Sequence, residues 1–185
     1  IEFEDVRMKW RDDFDMMINT GKLPNGLKSP FRQIPVMEVD GKMIGQTAGI
    51  ARFCGKLSGL YPKNDDLLAA QIDQIIDAAN DITNLVGLTM REKDLDKKKL
   101  SRKKLAEETL PKWFNFLEDI LKDNNSSEWF AGNKITIADL AIWRLLGWLI
   151  SGKLDQIPTT ILEPFPLLHK VYKLVDSHPK VSEWM

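Results

Sequence analysis

The pattern of the sequence changes sharply near Tyr61 and Pro62, and this change limits what the chain can fold into. Up to Tyr61 the chain consists of short segments separated by Gly and Pro, whereas beyond Pro62 apolar residues recur at helical spacing. Short alternating segments are typical of strands and hairpins, while a sustained period of 3.6 residues is typical of amphipathic helices. The 185 residues are enough for two small domains. We expect a mixed α/β domain over 1–61 and an all-helical domain over 65–185.

The first region contains one clear hairpin pattern. The segment IPVMEVDGKMI predicts a strand over 34–39, a tight turn at Asp40-Gly41 and a second strand over 42–44. A loop-like stretch rich in turn formers, 19–33, precedes it. A helix follows, for which Thr47 is the expected N-cap. The opening residues are expected to form a strand or the end of one.

The second region predicts a series of helices. Five are expected, over 65–87, 95–123, 136–150, 166–177 and from 179 onward. Pro111 lies inside the second of them and predicts a kink or a local break. The helix over 136–150 is apolar nearly all round, so it is expected to be the buried centre of the domain. At its start, Thr136 and Asp139 form a capping-box pattern, which indicates a role in folding.

Composition and charge exclude several classes of function. Lys and Arg number 26 against 27 Asp and Glu, giving a net charge of −1. This balance offers no electrostatic reason to expect nucleic acid or an anionic membrane as a partner, and the Lys-rich run 91–104 is expected to be a solvated helix surface. The single cysteine, Cys54, cannot form an internal disulfide, which favours a reducing compartment such as the cytoplasm. No apolar run approaches the roughly 20 residues that span a bilayer.

Few side chains form a catalytic pattern of their own. Cys54 lies on the apolar side of its predicted helix, where packing is the simplest role. His169 and His178 have no acid, Cys or Ser at a spacing typical of a catalytic or metal site. The sequence contains no metal motif, phosphate loop or hydrolase triad. The six tryptophans are expected to belong mainly to the core.

Two dipeptides at the ends of the hairpin carry the strongest functional signal. If the Ile34-Pro35 bond is cis, the turn leaves the main-chain N–H and C=O of Ile34 unpaired at a strand edge, where an extended peptide can pair with them. A helix starting at Gln46-Thr47 offers free N–H groups and a positive dipole end, which suit a carboxylate. The alternative is that Pro35 is a trans strand-entry proline and Thr47 is only a cap.

The block over 31–53, FRQIPVMEVDGKMIGQTAGIARF, resembles the glutathione-binding half-site of cytosolic glutathione transferases. The segments FEDVR, QIPVMEVDG and IGQTAGIARF are most similar to the sigma-like class, which includes glutathione-dependent prostaglandin D synthases and lens S-crystallins. The segment 132–142, GNKITIADLAI, resembles the capping motif of the central helix in the helical domain of this family. The resemblance therefore extends over nearly the whole chain.

The resemblance implies a set of glutathione-binding residues: Phe14, Gln33, Ile34, Pro35, Gln46, Thr47 and Asp81. It implies that Ile34 pairs through its main chain with the cysteinyl unit, and that Gln46 and Thr47 hold the γ-glutamyl carboxylate. Phe14 stands where that class usually has a Trp near the glycyl end. Asp81 would reach the γ-glutamyl amine of the other subunit across a dimer interface, the alternative being a solvated acid.

The same resemblance implies further positions. Thr83 and Val86 would lie near the pocket of the second substrate. The loop between Phe14 and Gln33 is longer than is usual in the family, and Lys22 or Lys28 within it could meet the glycyl carboxylate or could simply be solvated.

The implied fold is a thioredoxin-like α/β domain that lacks its first strand and helix, followed by an all-α domain. The tyrosine that activates the thiol in that class would precede Ile1, and Tyr61 and Tyr172 do not replace it, so we expect the chain to be an N-terminally truncated fragment. The parent protein would be a cytoplasmic homodimer that conjugates glutathione to hydrophobic electrophiles in detoxification, or uses it for isomerisation, without a metal. The alternative is a non-catalytic structural or scaffold protein of the S-crystallin type.

Overall fold

The computed structural model describes residues 2–9, 11–124 and 128–184. The chain divides into two compact units, Ile1–Tyr61 and Pro62–Met185. The first unit contains α1 (Asp12–Thr20), β1 (Val36–Val39), β2 (Lys42–Gly45) and α2 (Thr47–Ser58). The second contains α3 (Asp66–Arg91), α4 (Leu95–Lys104), a π-helical turn (Leu105–Thr109), α5 (Leu110–Asp123), α6 (Ile137–Leu149), α7 (Pro166–Asp176) and α8 (Pro179–Ser182). This order confirms the predicted α/β region followed by a helical one.

The sheet of the first unit is an antiparallel hairpin in which Val36 pairs with Gly45 and Val39 with Lys42. Asp40 and Gly41 have φ values of 50° and 76°, as a two-residue turn of the primed type requires. The strand begins two residues later than predicted, because the proline before Val36 has no N–H to donate to a ladder. The prediction that the opening residues form a strand is wrong, since residues 2–9 adopt no regular structure.

The loop that precedes the hairpin is held by its own main chain. Lys22 and Lys28 form an isolated antiparallel bridge, which brings the two sides of the loop together. Arg32 then donates from Nη1 to the carbonyl oxygens of Ile18 and Asn19, at 3.2 and 3.3 Å, at the C-terminal end of α1. A cation at a helix C-terminus satisfies carbonyls that lack helical partners. The loop therefore enters the hairpin from a fixed position on α1.

The core of the second unit is built around α6. This helix packs against both α3 and α7, and Arg144 is the one residue within it that is exposed. The prediction that this segment is the buried centre of the helical region is confirmed. Trp143, by contrast, is only half-buried, because its indole Nε1 donates to Asp176 Oδ1 at 3.1 Å near the surface.

The tryptophans do not form the core, so that prediction is wrong for those the structure describes. Trp113, Trp129 and Trp148 are half-buried and Trp184 is exposed. Trp10 lies outside the described residues. The buried positions are filled mainly by Leu, Ile, Val and Phe, whose smaller or purely apolar side chains need no hydrogen-bond partner.

The helix over 95–123 is locally disturbed just ahead of Pro111, as the predicted kink or local break requires. The disturbance is the π-helical turn that joins α4 to α5, in which Leu110 N–H donates to the carbonyl of Leu105. A proline cannot donate to the carbonyl four residues earlier, and its ring crowds that carbonyl. The wider turn just ahead of Pro111 moves the chain out of that conflict. None of the described helices combines the length and the apolar character needed to cross a membrane.

Candidate functional site

The hairpin brings two separated parts of the sequence to the same end of the sheet. Val36 and Gly45 are Cα partners in the ladder. Such partners lie about 4.5 to 5.5 Å apart in an antiparallel pair. Two short segments therefore leave the sheet side by side. Ile34-Pro35 leads into Val36, and Gln46-Thr47 follows Gly45. Ile34 and Gln46, twelve residues apart in sequence, therefore belong to one local surface.

Ile34 is an exposed residue at this end, and its main-chain groups are unpaired within the described residues. The residue is 51% exposed, and its N–H and C=O form no hydrogen bond with the part of the chain that the structure describes. The Ile34-Pro35 bond is cis. The preceding residue, Gln33, is fixed by Ser29, whose hydroxyl donates to Gln33 O at 3.0 Å and accepts from Gln33 N–H at 3.2 Å. The available donor and acceptor of Ile34 are thus held in place.

The start of α2 provides a second set of available groups. Gln46 is the N-cap and makes no side-chain capping bond, and its carbonyl accepts from Ile50 N–H at 3.1 Å. The prediction that Thr47 is the N-cap is wrong, because Thr47 is already the first helical residue. The first-turn N–H groups have no intrahelical partner, and this turn contains no acidic residue. The helix end therefore suits an external carboxylate.

Gln46 adopts an unusual backbone conformation. Its φ of 70° and ψ of 123° lie in a region that residues with a side chain rarely occupy. Such a conformation costs roughly 1 to 3 kcal/mol and persists only where the surroundings impose it. Next to it, a Cβ on Gly45 would lie only 2.8 Å from Phe31 Cδ2, so glycine lets the Phe31 ring approach the hairpin end.

The other expected site residues lie elsewhere. Phe14 is half-buried on α1 in the first unit. Asp81 and Thr83 are exposed on α3 in the second unit, and Thr83 Oγ1 donates to Ala79 O at 2.8 Å. Val86 is fully buried, so its side chain packs in the core of the second unit and does not face a pocket open to solvent.

Neither tyrosine is an exposed residue. Tyr61 is buried, with Lys56 Nζ 5.7 Å from the centre of its ring. Tyr172 packs over Gly147, and burial, with a smaller contribution from the charge of Asp176, raises the pKa of its hydroxyl. A raised pKa opposes formation of the phenolate. Within the described residues, no group of three or more His, Cys, Asp and Glu is arranged to hold a metal.

Asp139 forms the best-satisfied polar centre of the second unit. Its carboxylate accepts hydrogen bonds from Phe130 N–H at 2.9 Å, Thr136 N–H at 2.7 Å and Thr136 Oγ1 at 2.9 Å. Thr136 Oγ1 in turn accepts from Ala138 N–H at 3.2 Å, which completes the capping box. Burial raises the pKa of Asp139, and these hydrogen bonds oppose the rise. The centre supports folding of α6.

Two further buried polar groups could not be predicted from the sequence. Glu118 on α5 accepts from Leu167 N–H at 2.7 Å and Leu168 N–H at 2.9 Å, and so caps α7 from another helix. Arg102 on α4 donates to Thr89 Oγ1 at 3.2 Å and pairs with Asp155. No local pattern signals either contact, because the partners are distant in sequence.

Known proteins resemble this chain in sequence and in fold. Residues 80–185 match the family described as the glutathione S-transferase C-terminal domain. Glutathione S-transferase 2 of Manduca sexta is 30% identical over 184 residues, covering 100% of this chain and 83% of that protein. A prostaglandin synthase D structure from Nilaparvata lugens (TM-score 0.82, 28% identity, 100% and 84% coverage) and a monomeric glutathione S-transferase structure from Necator americanus (TM-score 0.75, 28% identity, 99% and 83% coverage) have similar folds. The chain therefore belongs to the glutathione S-transferase family.

Proposed function

We propose that this protein binds glutathione at the end of its hairpin and conjugates it to hydrophobic electrophiles. One observation carries the proposal. The exposed, unpaired main chain of Ile34 and the uncapped start of α2 at Gln46 emerge side by side from one antiparallel ladder. Together they offer a strand-like edge beside an anion site, which few ligands other than a short acidic peptide can use fully.

Glutathione matches both parts of this surface. Its cysteinyl unit has an amide N–H and a C=O that can pair with Ile34, as an added strand pairs with a sheet edge. Its γ-glutamyl carboxylate suits the first-turn N–H groups of α2 and the side-chain amide of Gln46. Glutathione itself supplies the thiol that attacks the electrophile. The role of Ile34, Gln46 and Thr47 is to bind and orient the peptide.

Finer assignments follow from the sigma-like resemblance and from the similarity to a prostaglandin synthase D fold. Phe14, Gln33 and Pro35 would complete the glutathione site, and Asp81 would reach the γ-glutamyl amine of a second subunit in a homodimer. Thr83, exposed on α3, would contribute to the pocket of the second substrate. Isomerisation of a lipid substrate is then a second reaction of the same site.

Calorimetric titration with glutathione tests the proposal directly. Gln46→Ala removes an amide that donates to the carboxylate, so we expect the affinity to fall about tenfold, as the loss of one hydrogen bond to a charged group predicts. Gln71→Ala is the matched control, because Gln71 is an exposed glutamine on α3 outside the site. Equal affinities of the two variants and the unmodified protein would contradict the proposed site.

A non-catalytic glutathione-binding protein is the second candidate. It follows from the resemblance to the sigma-like class, which includes the structural lens S-crystallins. Conjugation of glutathione to chlorodinitrobenzene separates the candidates. If glutathione binds but turnover does not exceed the uncatalysed rate, the second candidate holds. Where turnover is found, Tyr61→Phe and Tyr172→Phe are expected to leave its rate unchanged.

A further inference from the structure

The near-neutral net charge conceals a strong local asymmetry. Residues 91–104 contain eight basic and three acidic residues, although the whole chain has a net charge of −1. The rest of the protein is therefore acidic. We call residues 88–104, which comprise the end of α3, a three-residue connection and α4, the basic tip.

The cations of the basic tip are solvated and not neutralised. Six of them are exposed: Arg91, Lys93, Lys97, Lys99, Lys103 and Lys104. Of these six, only Lys103 forms an ion pair with an acid among the described residues: its Nζ lies 3.9 Å from Glu107 Oε1. An ordinary surface intersperses both signs of charge, so this concentration produces a positive potential that extends into solvent.

The three acids within the tip, Glu92, Asp94 and Asp96, reduce its positive charge without cancelling it, because eight basic residues accompany them. Two of the three also hydrogen-bond the backbone. Asp94 Oδ1 accepts from Asp96 N–H at 3.0 Å and Lys97 N–H at 3.1 Å, which caps α4. Glu92 Oε1 accepts from Asp94 N–H at 2.9 Å. Both carboxylates are thus bound to main-chain donors at the turn between the helices.

Large apolar side chains are exposed among these cations. Leu88 is 63% exposed, Leu95 69% and Leu100 70%, and Met90 is also exposed. Leu100 lies between Lys97 and Lys104, which are three residues before it and four residues after it on one helix face. Single exposed leucines are ordinary, but four exposed apolar side chains within thirteen residues of a Lys-rich segment are not.

The tip is fixed to the core by its one buried cation. Arg102 reaches Thr89 Oγ1 at 3.2 Å, and Thr89 Oγ1 donates to Val86 O at 2.7 Å. Arg102 also pairs with Asp155, in the loop that follows α6. These bonds tie α4 to the end of α3, so the exposed lysines and leucines are presented together on an ordered surface.

We propose that the basic tip docks on a membrane surface that contains anionic phospholipids. Lysines attract anionic headgroups, and leucines among them can enter the boundary between headgroups and acyl chains. Nucleic acid is a poorer match, because 88–104 contain no Phe, Tyr, Trp or His to stack on bases and phosphates offer nothing to the leucines. The expectation of no membrane partner rested on the near-neutral net charge of the whole chain and on solvation of the Lys-rich run, whereas this proposal rests on the exposed leucines that accompany those lysines.

Docking of this kind bears on substrate supply. Hydrophobic electrophiles partition into membranes, so a transferase held at the surface meets them at a raised local concentration. The inference itself does not depend on the proposed glutathione site, since it rests on α3 and α4 alone.

Co-sedimentation of the whole chain with lipid vesicles tests the inference. Vesicles of phosphatidylcholine with phosphatidylserine are expected to bind the protein at least about tenfold more tightly than vesicles of phosphatidylcholine alone, and high salt should abolish the difference. Lys97→Glu with Lys104→Glu should lose about tenfold or more in affinity. The matched control is Lys134→Glu with Lys180→Glu, which makes the same charge change at exposed positions outside the tip.

A leucine variant distinguishes a membrane from other polyanions. Leu100→Ser should weaken vesicle binding several-fold, whereas Leu67→Ser, an equally exposed leucine at the start of α3, should not. Helicity measured by circular dichroism should be unchanged in all variants, since the altered side chains are exposed. Equal binding to both kinds of vesicle, equal losses in tip and control variants, or an RNA oligonucleotide that binds more tightly than vesicles and ignores Leu100→Ser would each overturn the inference.

Discussion

The two units of the chain differ in where their apolar residues and their unusual backbone conformations lie. Within the described residues, Met17 and Tyr61 are the buried apolar side chains of the first unit, whereas the second unit holds a continuous set on α3, α5, α6 and α7. Of the five non-glycine residues with positive φ in the part of the chain that the structure describes, four lie in the first unit: Arg11, Arg32, Asp40 and Gln46. The first unit is shaped by turns and hydrogen bonds, and the second by apolar packing.

This difference separates recognition from stability. The hairpin end exposes main-chain groups at Ile34 and Gln46, which a packed core would have to cover. The helical unit pairs its buried carboxylates internally, as Asp139 and Glu118 show, although His178 Nδ1 is buried without a hydrogen-bond partner among the described residues. Changes in the helical core should therefore alter the free energy of unfolding with little effect on ligand affinity, and changes at the hairpin end should do the reverse.

The largest expected effect is on the core of the second unit. Phe114 is fully buried on α5 and meets Phe165 edge to face, with ring centres 5.1 Å apart. Phe114→Ala should reduce the free energy of unfolding by about 3 to 5 kcal/mol, because it removes apolar burial and leaves a cavity. Urea denaturation measures the loss, and glutathione affinity below the transition should change by less than about twofold if the two units are separable.

Phe116→Ala is the control for that change, since Phe116 is two residues away on the same helix but 48% exposed. It should cost less than about 1 kcal/mol, because it mainly loses an edge contact with Trp113. Equal losses in the two variants would mean that apolar packing in this helix does not carry the stability of the unit.

The next largest effect is expected at Asp139. Asp139→Asn keeps the shape of the side chain but places an amide N–H₂ where one carboxylate oxygen accepts, so it sets a donor against Phe130 N–H or Thr136 N–H. A buried donor left without an acceptor costs about 1 to 3 kcal/mol. Thr136→Ser, which retains the capping hydroxyl, should change the free energy of unfolding by only a few tenths of a kcal/mol.

The same carboxyl predicts a pH dependence. Burial raises the pKa of Asp139 above its value in the unfolded chain, so the folded state holds the proton more tightly. Its contribution to stability is fully present below the unfolded pKa and is lost as pH rises through the folded pKa. The stability advantage of the unmodified protein over Asp139→Asn should therefore shrink across that interval in denaturation curves. An advantage that grows with pH would show that the hydrogen bonds outweigh burial.

Local patterns in the sequence predicted local structure well. Asp40-Gly41 specified the hairpin turn. Thr136 and Asp139, three residues apart, specified the start of α6. Pro111 indicated a disturbance, but periodicity could not show that it takes the form of a π-helical turn. Contacts between distant elements, such as Glu118 with the start of α7, leave no trace in a single sequence because either partner alone is an ordinary residue.

The candidate site was predictable only in part. The sequence indicated both dipeptides at the hairpin end, because Pro and the start of an apolar helix are strong local signals. It assigned the cap to Thr47, since a hydroxyl is the usual capping group, and could not show that Gln46 takes that position with positive φ. Burial of Val86 depends on packing between helices, which periodicity alone does not resolve into core and pocket faces.

The smallest expected effect on stability is at Gln46, where it tests whether recognition and stability are separate. Glycine has no Cβ and adopts positive φ more readily than glutamine, so Gln46→Gly should leave the free energy of unfolding unchanged or raise it by up to about 1 kcal/mol, after the extra entropy of glycine in the unfolded chain is counted. Glutathione affinity should nevertheless fall about tenfold, as for Gln46→Ala, because both lack the amide. Gln46→Ala retains the strain and should be the less stable of the two. A Gln46→Gly variant that loses both stability and affinity would show that the side chain supports the fold of the hairpin end, and recognition and stability would then not be separate in the first unit.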